Sequence, residues 1–598
     1  MSFIYFNRNI PDEAHKKIAE MGPDGVQAFA FTPSGGWVLV VNNRCFARGI
    51  PDKCFRQLGI FINAGQKIRV IAFPPEGGNR WLIVTDQTYF ARNIPNDCYH
   101  KLQEMWNTGA RPTSVAFPYP GGNRWVILAG GTLSAHGIDD ECFQRLVNYS
   151  QGLRPAQRVA FTPTGGWLIL AHDRYFARNI PDECYQTMGG FAATMELEHV
   201  NFAPNGGWSI ISNTARPSYA ADPLRDFENR IHQSGASWQS IWDRMAFYQV
   251  PGVAIATVKN NQVAWACSYG QTRKNSPHWV HNDTVFQAAS CSKAVAGIGF
   301  LRLVQSGLIG LHDDVHPKLG WNLPQRACVQ KEWPAKVTLF RLLRHEGGII
   351  GRNATNPTDQ CSNFTQDGAG GGFSGYPNVA NVGVPTVKEI LAGTSTRPGV
   401  TVNSHKIELV YDPGSINAYS GEGFVMMMQL LENQRGMAFG DWMDANVLAA
   451  AGMSYSTYSL AAPSFSGPPA AGHDVNGDPI AGDRNRYPEG AAAGLYTTPS
   501  DLGRFIIAIN QGGTIDGQVV LDNTLSMALM ANSLGMSTGN AGTDTAWFSH
   551  NGANAGFRCE FKGYPGKQAG WVIMTNGASG ADLYNEIRAA LIRAYGWE

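Results

Sequence analysis

Residues 286–297 read FQAASCSKAVAG, and an apolar run, AVAGIGFLRLVQSGLIGL, covers 294–311. Ser290 stands three residues before Lys293, almost one helical turn, so both side chains share a face. A serine hydroxyl is a weak nucleophile and needs a neighbour to take its proton. A lysine whose pKa is lowered by burial or nearby cations does this. Free backbone N–H groups at a helix start also stabilise an oxyanion. A lone S-x-x-K is weak, but no other occurs in this chain. The apolar run predicts a core helix carrying both side chains.

The 598-residue chain is too long for one ordinary core, and two or three domains are expected. It is 43% hydrophobic and 16% charged, with formal net charge zero. No basic run suggests nucleic-acid binding. The start, MSFIYFNRNIPDEAHKK, lacks a basic head followed by an apolar core, and no apolar run is long enough to span a bilayer. The expectation is a cytoplasmic protein without membrane contact. A periplasmic or secreted protein whose signal was removed would read the same.

Residues 1–215 are repetitive. AFTPSGGWVLV, AFPPEGGNRWLIV, AFPYPGGNRWVIL, AFTPTGGWLIL and NFAPNGGWSII carry Trp37, Trp81, Trp125, Trp167 and Trp208. Each reads as strand, Gly-Gly turn, strand. A second unit alternates with it, as in YFNRNIPDEAHKKI and CFARGIPDKCFRQL, and reads as a short strand and a helix. Its proline suits the first helical turn, and the acids that follow suit the helix dipole. One slot holds only Asn or Gly (Asn9, Gly49, Asn93, Gly137, Asn179) and predicts a left-handed turn. Before it stand Arg8, Arg48, Arg92, His136 and Arg178. These either form a ring for an acidic ligand or pair with acids opening the helix that follows, such as Asp12, Asp52 or Asp182. Ion pairs are common at such turns, which favours the second reading.

The chain opens with a strand-helix unit that no hairpin precedes and closes the repeats with a hairpin that no strand-helix unit follows. A ring in which the first strand joins the last hairpin leaves no exposed end. The expectation is a β-propeller-like ring of five three-stranded blades, each with a helix and with its aromatics in the core. The hairpins resemble propeller blades in outline only. Cys54, Cys98, Cys142 and Cys184 share one slot and read as buried small hydrophobes. Cys328 and Cys361 could pair in an oxidising compartment. Residues 216–224, with two prolines, read as a linker.

The chain from about residue 225 resembles the serine β-lactamase-like superfamily of class C β-lactamases, D,D-peptidases, family VIII esterases and CubicO-type hydrolases. The resemblance rests on VFQAASCSK, LLRHEGGI (342–349), DPGSINAYSGEGFVMMMQLLE, AAAGLYTTPSDLGRF (491–505) and FSHNGANAGFRCEF, which stand in the family's order. It implies an α/β fold for 225–598, an antiparallel sheet flanked by helices with a helical subdomain. It further implies Ser290 as nucleophile, Lys293 as proton acceptor, Tyr419 as second acid/base, and His550 in place of the lysine of Lys-Thr-Gly. The N–H groups of Ser290 and Ala553 would form the oxyanion hole, and Gly421, Asn551 and Gly552 would face substrate. Lactamases carry Asn at the Gly421 slot and a permanent cation at the His550 slot. Both departures lean toward an esterase or peptidase.

GMSTG (535–539) fits a nucleophile elbow, but a helix-like run precedes it, so chance is favoured. DVNGDP (474–479) lacks the later glutamate of a calcium loop and reads as a turn. His345 and Glu346 lack a second histidine for zinc. No metal or cofactor is expected. The long Gly- and Asn-rich segment 351–384 is either a rim over the site or filler. The reading is a serine hydrolase acting through an acyl-enzyme on a small ester, amide or peptide. D,D-peptidase, β-lactamase or acyltransferase activity are alternatives. So is a binding protein whose repeats do the biology, holding a substrate, a partner or another subunit.

Overall fold

The computed structural model describes residues 3–22, 25–129, 132–151, 156–171, 174–192, 196–213, 227, 230–235, 237–276, 278–325, 329–349, 373–403, 406–465 and 467–597. The expected linker 216–224, Cys328, Cys361 and residues 351–372 of the long segment lie outside them. The chain separates into two compact units, 1–228 with 593–598, and 229–592.

The first unit runs β1 (Phe3–Arg8), α1 (Asp12–Met21), β2 (Val26–Phe31), β3 (Trp37–Val41), β4 (Arg44–Arg48), α2 (Asp52–Asn63), β5 (Ile68–Ala72), β6 (Trp81–Thr85), β7 (Tyr89–Arg92) and α3 (Asn96–Asn107). It continues with β8 (Ser114–Ala116), β9 (Trp125–Ala129), β10 (Thr132–His136), α4 (Asp140–Gln151), β11 (Arg158–Phe161), β12 (Trp167–Ala171), β13 (Arg174–Arg178), α5 (Asp182–Ala192), β14 (Glu196–Phe202) and β15 (Trp208–Asn213). These strands form five three-stranded antiparallel sheets. Four are sequential triplets. The fifth pairs β1 with β15 over Phe3↔Asn213 to Arg8↔Trp208. The first strand of each sheet lies beside that of the next, and β14 lies beside β2.

The five-fold slot is left-handed at every copy: Asn9 φ 52°, Gly49 67°, Asn93 52°, Gly137 65° and Asn179 53°. The Gly-Gly hairpins explain why the turn recurs. A Cβ on Gly36, Gly166 or Gly207 would strike the carbonyl of Gly49, Asn179 or Asn9, so each hairpin seats on this turn. The tryptophans are buried, and each pairs across its sheet with the cation before the turn, as in Trp37↔Arg48 and Trp167↔Arg178. Cys54, Cys98, Cys142 and Cys184 are fully buried, and burial raises all four thiols, Cys54, Cys98 and Cys184 to about 12.

Two local expectations are corrected. Pro11, Pro51 and Pro95 stand one residue before the helix, with extended ψ of 130–133°. The cations do not pair with their own helix. Arg8 pairs with Glu183, Arg48 with Glu13 and Arg178 with Glu141. Each partner opens the helix of the preceding sheet, because a side chain at the strand end reaches across the junction between sheets.

In the second unit the segment before the Ser290–Lys293 motif is a small hairpin, His232–Ser234 with Ser237–Gln239, and then a helix Ile241–Phe247 capped by Ser240 and Asp243. The main sheet contains β16 (Gly252–Lys259), β17 (Gln262–Gly270), β18 (Ser537–Gly539), β19 (Trp547–Asn554), β20 (Phe557–Tyr564) and β21 (Ala569–Thr575). Its order is β17-β16-β21-β20-β19-β18, all antiparallel. Asn260 and Asn261, at φ 53° and 51°, make the turn between β16 and β17. The motif helix α6 (Ser292–Gln305) is buried on all sides from Ser292 to Leu301. Gly299 there lies against Met443, leaving no space for a Cβ. A helix apolar all round belongs in a core, which fixes the base of the site. No helix of the described residues is long and apolar enough to cross a membrane.

Candidate active site

Ser290 does not sit in the α-helix itself. It lies in a 3₁₀ turn, Ala289–Cys291, that leads into α6. Ala289 precedes it at φ 51°, a left-handed conformation that costs a non-glycine residue about 1 kcal/mol or more. The surroundings hold this turn. Ser292 Oγ donates to Ala289 O (2.5 Å) and accepts from Leu495 N (2.9 Å). Cys291 Sγ reaches His550 O (3.4 Å) on β19. Lys293, 2% exposed, places Nζ 3.1 Å from Ser290 Oγ and donates to Ala492 O at 2.7 Å. The carbonyl of the next residue, Ala493, accepts from the buried Asn554 Nδ2, which also donates to Gln287 Oε1.

β19 runs close against the Ser290 turn at Gly552. A Cβ there would meet Ala288 O and lie 2.8 Å from Ser290 N, so only glycine permits this approach. Ala553 is the next residue on the strand and is exposed, as is Asn551.

Tyr419 is 38% exposed, just before α7 (Gly421–Arg435). Its ring centroid lies 4.9 Å from Lys293 Nζ. Its hydroxyl makes no hydrogen bond to Lys293 or Ser290 among the described residues. His345, from the LLRHEGGI segment, is also part of this cluster. Its ring lies 4.5 Å from that of Tyr419, its Nδ1 accepts from Ser420 N (3.1 Å) and its carbonyl from Ala418 N (2.8 Å). It therefore grips the backbone on both sides of Tyr419. The His-x-x-Gly segment marked this residue, but nothing in the sequence tied it to a tyrosine far downstream.

Neither histidine carries charge at neutral pH. Burial, then the Lys293 ammonium, push His550 down to about 4, against a hydrogen bond between Nδ1 and Asn551 O (2.6 Å). Burial, Lys293 and His550 push His345 down to about 3. The partners assign the tautomers: Nδ1–H in His550, Nε2–H in His345.

The Beta-lactamase family model matches residues 239–594, more than half of the chain. The chain belongs to the Beta-lactamase family. No curated protein sequence matches it. Among solved structures it is similar to the octameric penicillin-binding protein homologue from Pyrococcus abyssi, at 18% identity over 60% of this chain and 76% of that one, TM-score 0.45. It is also similar to the D-alanine carboxypeptidase AmpC from Burkholderia cenocepacia, at 20% identity over 62% and 99%, TM-score 0.43. A D-amino acid amidase from Ochrobactrum anthropi SV3 is similar at 18% over 60% and 96%, TM-score 0.43.

Within this Beta-lactamase family chain, the slot opened by Gly421 is filled. A Cβ there would lie 2.8 Å from the Phe373 ring. An aromatic wall stands where the lactamase pattern has an amide. Restoring that pattern with Gly421→Asn and His550→Lys is therefore expected to leave the nitrocefin-to-ester turnover ratio low. Adding Phe373→Ala is expected to raise it by about tenfold or more, since one well-made amide hydrogen bond is worth that much. An equal rise in the double variant would mean that Phe373 does not block the slot.

The remaining motifs do not join the site. Ser537 is exposed on the edge strand β18, preceded by a helix, Asn523–Asn532, and so makes no elbow. Asp474 Oδ1 accepts from Asn476 N and Asp478 N, closing a turn. Glu346 pairs with Arg344. Among the described residues no group of three or more His, Cys, Asp or Glu is placed to hold a metal ion.

Proposed function

We propose that the second unit is a serine hydrolase that works through an acyl-enzyme on a small ester, amide or peptide. The carrying observation is the buried Lys293 Nζ, 3.1 Å from Ser290 Oγ. Lys293 first releases one ammonium proton to solvent; Ser290 Oγ then attacks the carbonyl carbon and its proton passes to the neutral Lys293 amine. The carbonyl oxygen, now negative, faces the N–H groups of Ser290 and Ala553. Tyr419 closes on Lys293 and hands a proton to the leaving group, whose bond to carbon breaks. Water then releases the acyl group by the same steps in reverse roles. A neutral His550 and an apolar wall at Phe373 offer nothing to a substrate carboxylate, so uncharged esters are favoured.

In a screen of p-nitrophenyl esters, D-amino-acid amides, D-Ala-D-Ala peptides and nitrocefin, esters are expected to turn over best, and Ser290→Ala to abolish this. Turnover that survives Ser290→Ala overturns the reading. With both histidines neutral, kcat/KM is expected to show no histidine inflection between pH 7 and 5; one near 6.5 would mean that a site histidine ionises normally. For stability the sign is opposite to that of a charged pair. The unfolded histidines gain protons near pH 6.5, so the contribution of burying them neutral is complete above that pH and falls away as pH drops toward 4.

We also propose that the five sheets close as a five-bladed ring that presents a ligand or partner. Its support is the β1–β15 pairing, the neighbouring of β14 and β2, and the Arg8–Glu183 ion pair between the first repeat and the last.

A further inference from the structure

The Arg–Glu pairs follow one rule, and one junction breaks it. The cation closing a sheet's outer strand reaches the second residue of the preceding helix: Glu13, Glu141 and Glu183 serve Arg48, Arg178 and Arg8. At the fourth junction His136 and Asp97 are linked through Asn123, which gives its carbonyl to the ring and its amide to the acid (2.5 Å). At the junction of β2-β3-β4 with β5-β6-β7 the cation is Arg92 and the residue in the acid's slot is Lys53. Arg92 Nε is buried with no hydrogen-bond partner among the described residues. The same atom takes the carboxylate in Arg8 (3.2 Å) and in Arg178 (3.1 Å).

A cavity of about 380 Å³ lies at this same junction, between the turn Gly49–Pro51 that leads into Lys53 and the hairpin Gly77–Arg80. That hairpin is tied to the residue after Arg92: Asn93 Nδ2 donates to Asn79 O, and Arg80 Nη1 reaches Asn93 O. Ile50, Pro51 and Phe73 give the cavity an apolar side, and Ser34, Asn79 and Arg80 a polar one. Two acids lie near. Glu76 is occupied by Gly122 N at 2.5 Å, and Asp52 is exposed beside Lys53 in the first turn of α2. Arg80 is the one cation on the cavity's lining, and Lys53 and Arg92 stand on α2 and β7, which adjoin it, so this junction carries excess positive charge. The volume lies within the range of small-molecule sites.

We propose that this junction binds a small molecule carrying a carboxylate, which replaces the missing glutamate between Arg92 and Lys53 and lays its apolar body on Ile50, Pro51 and Phe73. A carboxylate is the group the other junctions use, and the guanidinium fork matches its two oxygens. The site lies in the repeat unit and does not depend on the hydrolase reading.

The test titrates the full chain with hippurate, and with uncharged hippuramide as control, by ligand-observed NMR at low salt. Saturable hippurate binding is expected, weakened by added salt, with none for hippuramide. Lys53→Glu rebuilds the internal pair and is expected to weaken hippurate binding at least tenfold while leaving the melting temperature no lower than that of the parent. Arg92→Gln is expected to weaken binding comparably. Absence of binding to the parent chain, equal binding by parent and Lys53→Glu, or a lowered melting temperature in Lys53→Glu would each overturn the proposal.

Discussion

Lys293→Ala is expected to lower kcat/KM on a p-nitrophenyl ester by about 10³-fold or more, and Tyr419→Phe by about 10²-fold or more, with the double variant hardly worse than Lys293→Ala alone. The asymmetry follows from the geometry. Lys293 already bonds Ser290 Oγ and is pinned from behind by Ala492 O. Tyr419 touches Lys293 only through its ring and is the more exposed partner. If the two share one proton path, removing the lysine leaves the tyrosine with nothing to relay. Steady-state kinetics on the three variants decide this. Penalties that multiply in full would mean two independent roles.

Deleting residues 2–21 from the full chain is expected to lower the melting transition of the repeat unit by more than about 10 °C. The segment supplies the whole of β1, which pairs with β15. It also supplies Ile10, Ala14 and Ile18, which are buried with Phe29, Trp37, Leu39, Val41 and Ile211. Losing two buried isoleucines alone removes on the order of 5 kcal/mol, enough for a shift of that size in a unit this large. Adding residues 1–21 as a separate peptide is expected to recover part of the loss. A truncated chain that melts like its parent would refute ring closure in favour of a capped solenoid.

What the sequence disclosed was whatever depends on local chemistry. A slot that admits only Asn and Gly can hardly be anything but a left-handed turn, and all five copies are. The Ser290–Lys293 contact needs only one helical turn, and the apolar run after it specified a helix buried on all sides from Ser292 to Leu301. The unpaired strand at one end of the repeats and the unpaired hairpin at the other likewise anticipated the β1–β15 pairing. What escaped was set by tertiary geometry. The acids Asp12, Asp52 and Asp182 were nearer in sequence to the repeat cations than the glutamates that bind them. No local pattern shows that a strand-end side chain crosses to the preceding sheet. Phe373 lies 48 residues before Gly421, so the empty slot was legible and its occupant was not. His345 offered no metal partner, and its grip on residues 418 and 420 runs through backbone atoms, which carry no sequence signature.

Covalent labelling tests the central claim most directly. After treatment with a fluorophosphonate probe, intact-mass spectrometry is expected to show one adduct per chain, peptide mapping to place it on Ser290, and Ser290→Ala to remain unlabelled. Labelling that persists in Ser290→Ala, or that maps to Ser537, would contradict the account.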